Sequence, residues 1–343
     1  MERSAGMKPI DPMRTGWQLA ALSTDIDTRP LARSIADTPL VLFRTRGGGV
    51  AALVDRCPHR NYPLSLGRVE DGAIVCPYHG WRFAADGACV SVSGCKLDAV
   101  GGSRLSAATA EVHEAHGAVF VRLEPGPDPA PLFRAPFGTD DHDHFWWDQG
   151  EWRGTAFDAI ENVLDPFHTS ELHHGFIRRR DRRNPVTLTV ENFERGVEMT
   201  IDQSRPDLGL MSRMLERDRT RSRTRYDAPT VVQAVWEGRD RLTLCVTAYF
   251  TPVTRTSFRT YACFTTARGV LPAWLKRAGL KAFLLPVVRQ DRKALAAQAD
   301  VVARFGTTRY AQGPGDLLGG RIHKIYNGHA LVPGVTDRVT AEL

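Results

Sequence analysis

Cys57-Pro58-His59-Arg60-Asn61-Tyr62-Pro63 and Cys76-Pro77-Tyr78-His79 decide how the rest of this chain is read. Each stretch offers one soft thiolate and one imidazole from a tight, Pro-containing loop, and sixteen residues separate the two pairs. Two thiolates and two imidazoles suit tetrahedral zinc. They also suit a [2Fe–2S] cluster in which two histidines replace two cysteines on one iron. Zinc fingers usually group Cys with Cys and His with His. Here each half-site mixes the two, so each loop can give its Cys to one iron and its His to the other. The pattern favours the iron–sulfur cluster, with a structural zinc as the alternative.

Working outward, short strands surround the two pairs. Leu40 to Phe43 and Val50 to Val54 are apolar runs joined by Arg46-Gly47-Gly48-Gly49, a hairpin signal. Ala73 to Val75 leads straight into Cys76. Trp81 to Phe83 and Ala88 to Val92 flank Asp86-Gly87, a second hairpin. Ala118 to Leu123 is a last strand. Residues 38–124 read as a small all-β domain with both Cys/His pairs on loop tips, where a rigid β scaffold presents function. Residues 1–37 read as a separate N-terminal lead-in.

Residues 125–150 open with Pro125-Gly126-Pro127-Asp128-Pro129 and read as a stiff linker. The pattern then changes over 151–343. Phe157 to His174 is expected to be one helix, with Ile160, Val163, Leu164 and Phe167 as its apolar positions. Strand-like runs follow at 186–201, 231–235, 242–250 and 258–266. Two helices close the chain, 272–284 and 286–305, the second opened by Pro286 at a favourable first-turn position. Pro206 to Glu216 is a short apolar segment, a candidate lid with Met211, Met214 and Leu215. The expected fold class is α+β: an all-β domain, then an antiparallel sheet with helices packed on it.

A second group of chemistry-bearing residues lies in Glu161-Asn162-Val163-Leu164-Asp165-Pro166-Phe167-His168, continuing to His173. On an ideal helix residues five apart sit about 140° from each other. His168 and His173 can share a metal only if the helix distorts or ends between them, and Pro166 already disturbs it. Two histidines need a carboxylate to form the facial triad of a non-haem Fe(II) site. Asp291 is the candidate, on a helix stripe marked by Val288, Leu295 and Val302. A carboxylate on a buried face is costly unless paired or metal-bound. Asp300 and Asp316 are the nearby alternatives.

The 343 residues are 42% hydrophobic and 24% charged, an ordinary globular composition with room for two cores. Net charge is +6 and the pI near 9.1. The excess is local: Arg178 to Arg183, and an alternating run of Arg219, Arg221, Arg223 and Arg225 that would share one face of a strand. These clusters suit an acidic partner, an anionic substrate or a solvated face. No aromatics interleave with them, which argues against nucleic acid. No apolar run reaches the length of a membrane span, and the first residues lack a secretory h-region, so a cytoplasmic location is expected. Cys245 and Cys263 read as core residues, and Cys89 and Cys95 as reduced thiols.

Cys57-Pro-His59-Arg and Cys76-Pro-Tyr-His79-Gly-Trp resemble the cluster motif of the Rieske non-haem iron oxygenases. Asn162-Val-Leu-Asp165-Pro-Phe-His168, followed by His173, is similar to that family's mononuclear-iron motif. Gln290-Asp291 with Gln298 resembles the segment carrying the third iron ligand. The domain order matches from about residue 15 onward. The resemblance implies a terminal oxygenase, with Cys57 and Cys76 on one cluster iron and His59 and His79 on the other. His168, His173 and Asp291 would hold a mononuclear Fe(II), with Asn162 nearby. In a ring-shaped homotrimer Asp165 would bridge His79 of one chain and His168 of the next. O2 is the implied co-substrate. NAD(P)H electrons would arrive through a separate flavin reductase and/or ferredoxin, since the chain has no GxGxxG loop. Length and the small β domain resemble the branch built from one subunit type. The expected reaction is therefore monooxygenation of a small aromatic or alicyclic molecule, by C–H hydroxylation or oxidative O-/N-demethylation. Aromatic cis-dihydroxylation is the alternative. An electron-transfer Rieske protein without catalytic iron, and a zinc-stapled binding protein, are readings from other classes.

Overall fold

Short apolar runs separated by glycine-containing turns assemble into three antiparallel sheets in the computed structural model, which describes residues 11–94, 105–136, 139–178, 183–202, 221–238 and 242–343. The first sheet has six strands in the order β1 (Gln18–Leu22), β10 (Ala118–Arg122), β9 (Thr109–Ala115), β4 (Val50–Val54), β3 (Thr38–Arg44) and β2 (Leu31–Ile35). A four-stranded sheet runs β5 (Arg68–Glu70), β6 (Ala73–Val75), β7 (Arg82–Phe83) and β8 (Cys89–Ser91). Leu40-Val41-Leu42-Phe43 is apolar without alternation because β3 buries both faces. Val41 and Phe43 pack with Leu64, Ile74, Phe83 and the two cysteines, Cys57 and Cys76. Leu40 and Leu42 pack on the other side with Ala20, Ile35, Val119 and Val121. Both expected hairpins form. At the second, Gly87 has φ +81°, and a Cβ there would stand 2.1 Å from the Ala107 carbonyl oxygen. Only glycine combines that backbone with that contact.

The lead-in expected over 1–37 contains β1 and β2, which are integral strands of the six-stranded sheet. β1 also joins the two halves of the chain. Tyr261 Oη donates to the Ala20 carbonyl at 2.6 Å, Thr251 Oγ1 to the Leu19 carbonyl at 2.7 Å, and Thr230 Oγ1 to Gln18 Oε1 at 3.1 Å. Trp17, Leu19 and Phe120 share a buried cluster with Val231, Tyr249 and Tyr261.

The third sheet has eight strands: β11 (His142–Arg153), β17 (Ser257–Ala267), β16 (Leu242–Thr254), β15 (Val231–Glu237), β14 (Arg221–Asp227), β13 (Gly196–Asp202), β12 (Pro185–Phe193) and β18 (Thr336–Glu342). β11 begins inside the linker expected at 125–150. The single run expected over 186–201 is a hairpin that turns at Glu194-Arg195.

Among the described residues the α-helices are α1 (Pro12–Thr15), α2 (Ala156–Leu164), α3 (His168–Glu171), α4 (Ala273–Phe305) and α5 (Gly319–Tyr326). Two expectations need correction. The helix over 157–174 is two helices, because Asp165 leaves helical φ/ψ ahead of Pro166. The break expected at Pro286 is absent, and α4 runs through it. Burying Leu280, Val287 and Leu295 contributes about 1.5–3 kcal/mol each, which outweighs the ~3 kcal/mol an interior proline costs. α2 starts with a capping box between Thr155 and Asp158. Its buried face, Ala156, Ala159, Ile160 and Leu164, packs on the eight-stranded sheet in a core shared with α4 and α5.

Candidate metal centres and cavity

The two Cys/His loops are near copies of each other. The Cys57 N–H donates to the Tyr62 carbonyl and the Cys57 carbonyl accepts from Asn61 N–H, each at 2.8 Å. The Cys76 N–H donates to the Trp81 carbonyl at 2.8 Å, and the Cys76 carbonyl accepts from Gly80 N–H at 2.9 Å. Asn61 and Gly80 hold matching left-handed conformations at φ +58° and +70°. Both cysteine side chains are buried, at 1% exposure. Burial and then the adjoining Cys76 push the Cys57 thiol up to about 11, although the His59 and Arg60 N–H groups pull the other way. Such a thiol ionises only beside a cation. The His59 and His79 rings stand 4.6 Å apart, and His59 stacks on Trp81 at 4.4 Å. His59 Nδ1 is buried without a hydrogen-bond partner. Two adjoining buried thiols, two adjacent imidazoles and an orphaned ring nitrogen fit a Rieske cluster. The stacking of Trp81 was not anticipated, although His79-Gly80-Trp81 places the indole beside the second loop.

The break at Asp165-Pro166 solves the geometric problem of His168 and His173. α3 starts at His168 and ends at Glu171, so the two rings meet at 5.1 Å instead of pointing apart. Asp291, on α4, joins them. Among the described residues, ligand atoms of His168, His173 and Asp291 lie within 4.8 Å of one another. His173 Nε2 is 3.0 Å and His168 Nε2 3.9 Å from Asp291 Oδ1. Asp291 Oδ1 is nonetheless buried without a hydrogen-bond partner. Lone pairs aimed at a shared point, and not at each other, are what a metal ion needs. Two imidazoles and one carboxylate fit non-haem iron. The alternatives fall away: Asp300 pairs with Arg153, and Asp316 accepts from Gly313 N–H.

Each ring is also held from behind. His168 Nδ1 donates to the Asp165 carbonyl at 2.7 Å, and His173 Nδ1 lies 2.9 Å from Gln290 Oε1. Burial alone would raise the Asp165 pKa. His168 and the N–H groups of Phe167 and His168 outweigh it and hold the carboxyl below its usual range. Burial pulls the His173 pKa down, but Asp291, with Gln290, more than compensates and leaves it above the ordinary 6.5. The contact of Gln290 was not legible as such, since only its place beside Asp291 stood out in the sequence.

The three residues open onto a cavity of about 260 Å³ between the eight-stranded sheet and α2–α4. Its walls are mostly apolar, with Val246, Phe250, Phe264, Phe283, Leu284 and Val288 prominent. Asn162 at the end of α2 and Asp165 in the turn after it also line the cavity. Arg178 is buried in the wall, so it belongs to the interior and not to a docking face. Arg221, Arg223 and Arg225 do share one strand, yet each meets a carboxylate: Asp202, Glu237 and Asp227 respectively. That stripe is already neutralised. Arg179 to Arg182, Arg219, the segment Pro206 to Glu216 and Cys95 lie outside the described residues. Cys245 and Cys263 are buried core residues, as expected.

Family models match both halves of the chain. Residues 16–99 match the Rieske [2Fe-2S] domain, and residues 152–330 match the vanillate O-demethylase oxygenase C-terminal domain. The chain belongs to the Rieske non-haem iron oxygenases. This Rieske oxygenase is 37% identical over 171 residues to a putative toluene-4-sulfonate monooxygenase system iron-sulfur subunit of Comamonas testosteroni, covering 47% of this chain and 46% of that one. It is 50% identical over 78 residues to the oxygenase component of dicamba O-demethylase from Stenotrophomonas maltophilia, 23% of each chain. The chain thus aligns with less than half the length of either relative. In fold it is similar to dicamba monooxygenase bound to dicamba, with a TM-score of 0.76 at 22% identity over 92% of this chain and 96% of that one. It is likewise similar to NdmA of Pseudomonas putida CBB5 with caffeine, with a TM-score of 0.77 at 19% identity over 91% and 90%.

Proposed function

We propose that this Rieske oxygenase is the terminal oxygenase component of a multicomponent system. It inserts one oxygen atom of O2 into a C–H bond of a small aromatic or alicyclic substrate, by hydroxylation or by oxidative O- or N-demethylation. The other atom leaves as water, using two electrons and two protons. The electrons come from NAD(P)H through a separate reductase or ferredoxin. The observation that carries this reading is the His168–His173–Asp291 triad opening onto an apolar cavity of about 260 Å³. Relatives include components named for toluene-4-sulfonate and dicamba, which supports a small aromatic substrate.

In this reading Cys57, His59, Cys76 and His79 hold the cluster, and His168, His173 and Asp291 hold the iron. When bound, the cluster supplies electrons one at a time and the iron supplies O2 activation. The rest is done by the chain. The apolar walls exclude water and orient the substrate by shape. The Asp165 carbonyl and Gln290 fix the two imidazoles. Asn162, in the cavity lining, is placed to meet a polar group of the substrate. Asp165 keeps its carboxylate ionised, with 37% of its side chain exposed and one oxygen 3.6 Å from His168 Nδ1. That leaves it able to reach an exposed imidazole such as His79 of a neighbouring chain, in a homotrimer. The cluster cysteines sit in the core of the small β domain, whereas the triad lines the cavity on the eight-stranded sheet.

The test is anaerobic purification followed by iron analysis and product labelling. We expect about three irons per chain, from a two-iron cluster and one mononuclear site. Across methoxyaryl, N-methyl, aryl-methyl and alicyclic panels, one compound should drive coupled O2 and NADH consumption, with one atom of 18O in the product or in released formaldehyde. Two irons and no substrate-coupled consumption would leave an electron-transfer protein. Two atoms of 18O in a cis-diol would make it a dioxygenase.

A further inference from the structure

Gln290 and Asp291 are consecutive residues of α4, so their side chains leave the helix about 100° apart. Both nevertheless reach one imidazole. Asp291 Oδ1 stands 3.0 Å from His173 Nε2, and Gln290 Oε1 stands 2.9 Å from His173 Nδ1. The His173 ring, at 1% side-chain exposure, therefore faces consecutive residues of α4 at its two nitrogens. The amide oxygen Gln290 Oε1 can only accept, so Nδ1 is the nitrogen that donates to it. The proton sits on Nδ1, facing the amide oxygen, and the Nε2 lone pair is left toward the point shared with His168 and Asp291.

We infer that Gln290 is a positioning residue: its neutral side-chain oxygen fixes the His173 ring and its Nδ1–H tautomer so that Nε2 is presented to the metal. This rests on the reading of His168, His173 and Asp291 as a metal site. The choice of an amide is physically meaningful. A carboxylate at 290 would accept the same hydrogen bond but would make the ring more basic, beside an Asp291 that already carries charge. Proton and metal would then compete harder for Nε2. An apolar side chain of the same length would leave Nδ1–H unpaired in a buried site and free the ring to turn.

The test uses the full chain with its cluster intact and the mononuclear site emptied by a chelator, then titrated with Co(II) against a competing chelator. Gln290→Met should weaken Co(II) binding about ten- to a hundredfold and alter the Co(II) d–d bands. Its cluster visible spectrum and Tm should match the unaltered chain. Gln290→Glu should restore affinity at high pH, with the midpoint of Co(II) binding moved to higher pH. The inference is overturned if Gln290→Met binds Co(II) with unaltered affinity and bands, or if any loss follows a fall in Tm and is not recovered by Gln290→Glu. If the unaltered chain binds no Co(II), the metal reading itself fails and takes this inference with it.

Discussion

His173 serves two opposed states. Without metal, the Asp291 carboxylate favours its protonated form and lifts its pKa above 6.5. A raised pKa in the folded state stabilises the metal-free chain fully below the unfolded value, and that contribution fades as pH rises through the folded one. Metal binding needs the neutral ring and runs the other way. Affinity for Co(II) should therefore strengthen as pH rises from 6.5 through the folded pKa of His173, while the metal-free Tm loses this contribution over the same window. Dialysis and thermal melts across that window check both signs. His168→Ala should remove the mononuclear metal and leave the cluster spectrum unchanged, as read by iron content and EPR. Residue types were largely legible at this scale. Mixed Cys/His pairs, and a carboxylate on an apolar stripe, are hard to satisfy without a metal. What a side chain turns toward was not legible: nothing in the order of residues says that Gln290 faces His173.

α2, α3 and α4 bring the triad together; α2 and α4 share an apolar core, and a few polar bonds add to it. Thr155 caps α2, and the Asp158 carboxylate accepts from Thr155 Oγ1 at 2.6 Å, from Tyr310 Oη at 2.7 Å and from Gln298 Nε2 at 3.3 Å. Gln298 lies two turns beyond Asp291 on α4 and ties α4 to the start of α2, while Gln290 ties it to His173 just after α3. Asp158→Ala removes the side-chain half of the capping box, while the backbone N–H of residue 158 still donates to Thr155 Oγ1, and it leaves Gln298 and Tyr310 without that partner. It should cost about 1–3 kcal/mol in denaturant unfolding, and it should weaken Co(II) binding although Asp158 touches no ligand. Element boundaries were the least legible part. Pro286 carries a strong local signal for a helix start, but tertiary burial of Leu280 and Leu295 overrides it. Pro166 carries the same kind of signal, and there the chain does break, because the preceding Asp165 turns its carboxylate to the N–H groups of Phe167 and His168 at 2.8 and 3.1 Å.

Across the whole molecule the proposal of transfer between chains has a direct check. Subunits carrying Cys76→Ser and subunits carrying Asp291→Ala each lack one centre. Co-assembled, they should regain part of the turnover that neither shows alone, and sedimentation should show a trimer. No recovery in mixed trimers would place transfer within a chain. Asp165→Asn should keep both metal complements and lose turnover, and near-normal turnover would refute the bridge. The two-part architecture was legible from motif order, but the role of the first strand was not. Gln18-Leu19-Ala20-Ala21-Leu22 is short and ordinary in composition, yet its carbonyls take hydroxyls from Thr251 and Tyr261 of the far sheet. One strand is thus a shared component of two hydrophobic units, and neither can melt without stripping hydrogen-bond partners from the other. The chain should unfold as one cooperative event: a single calorimetric peak, with bleaching of the cluster's visible colour at the same temperature.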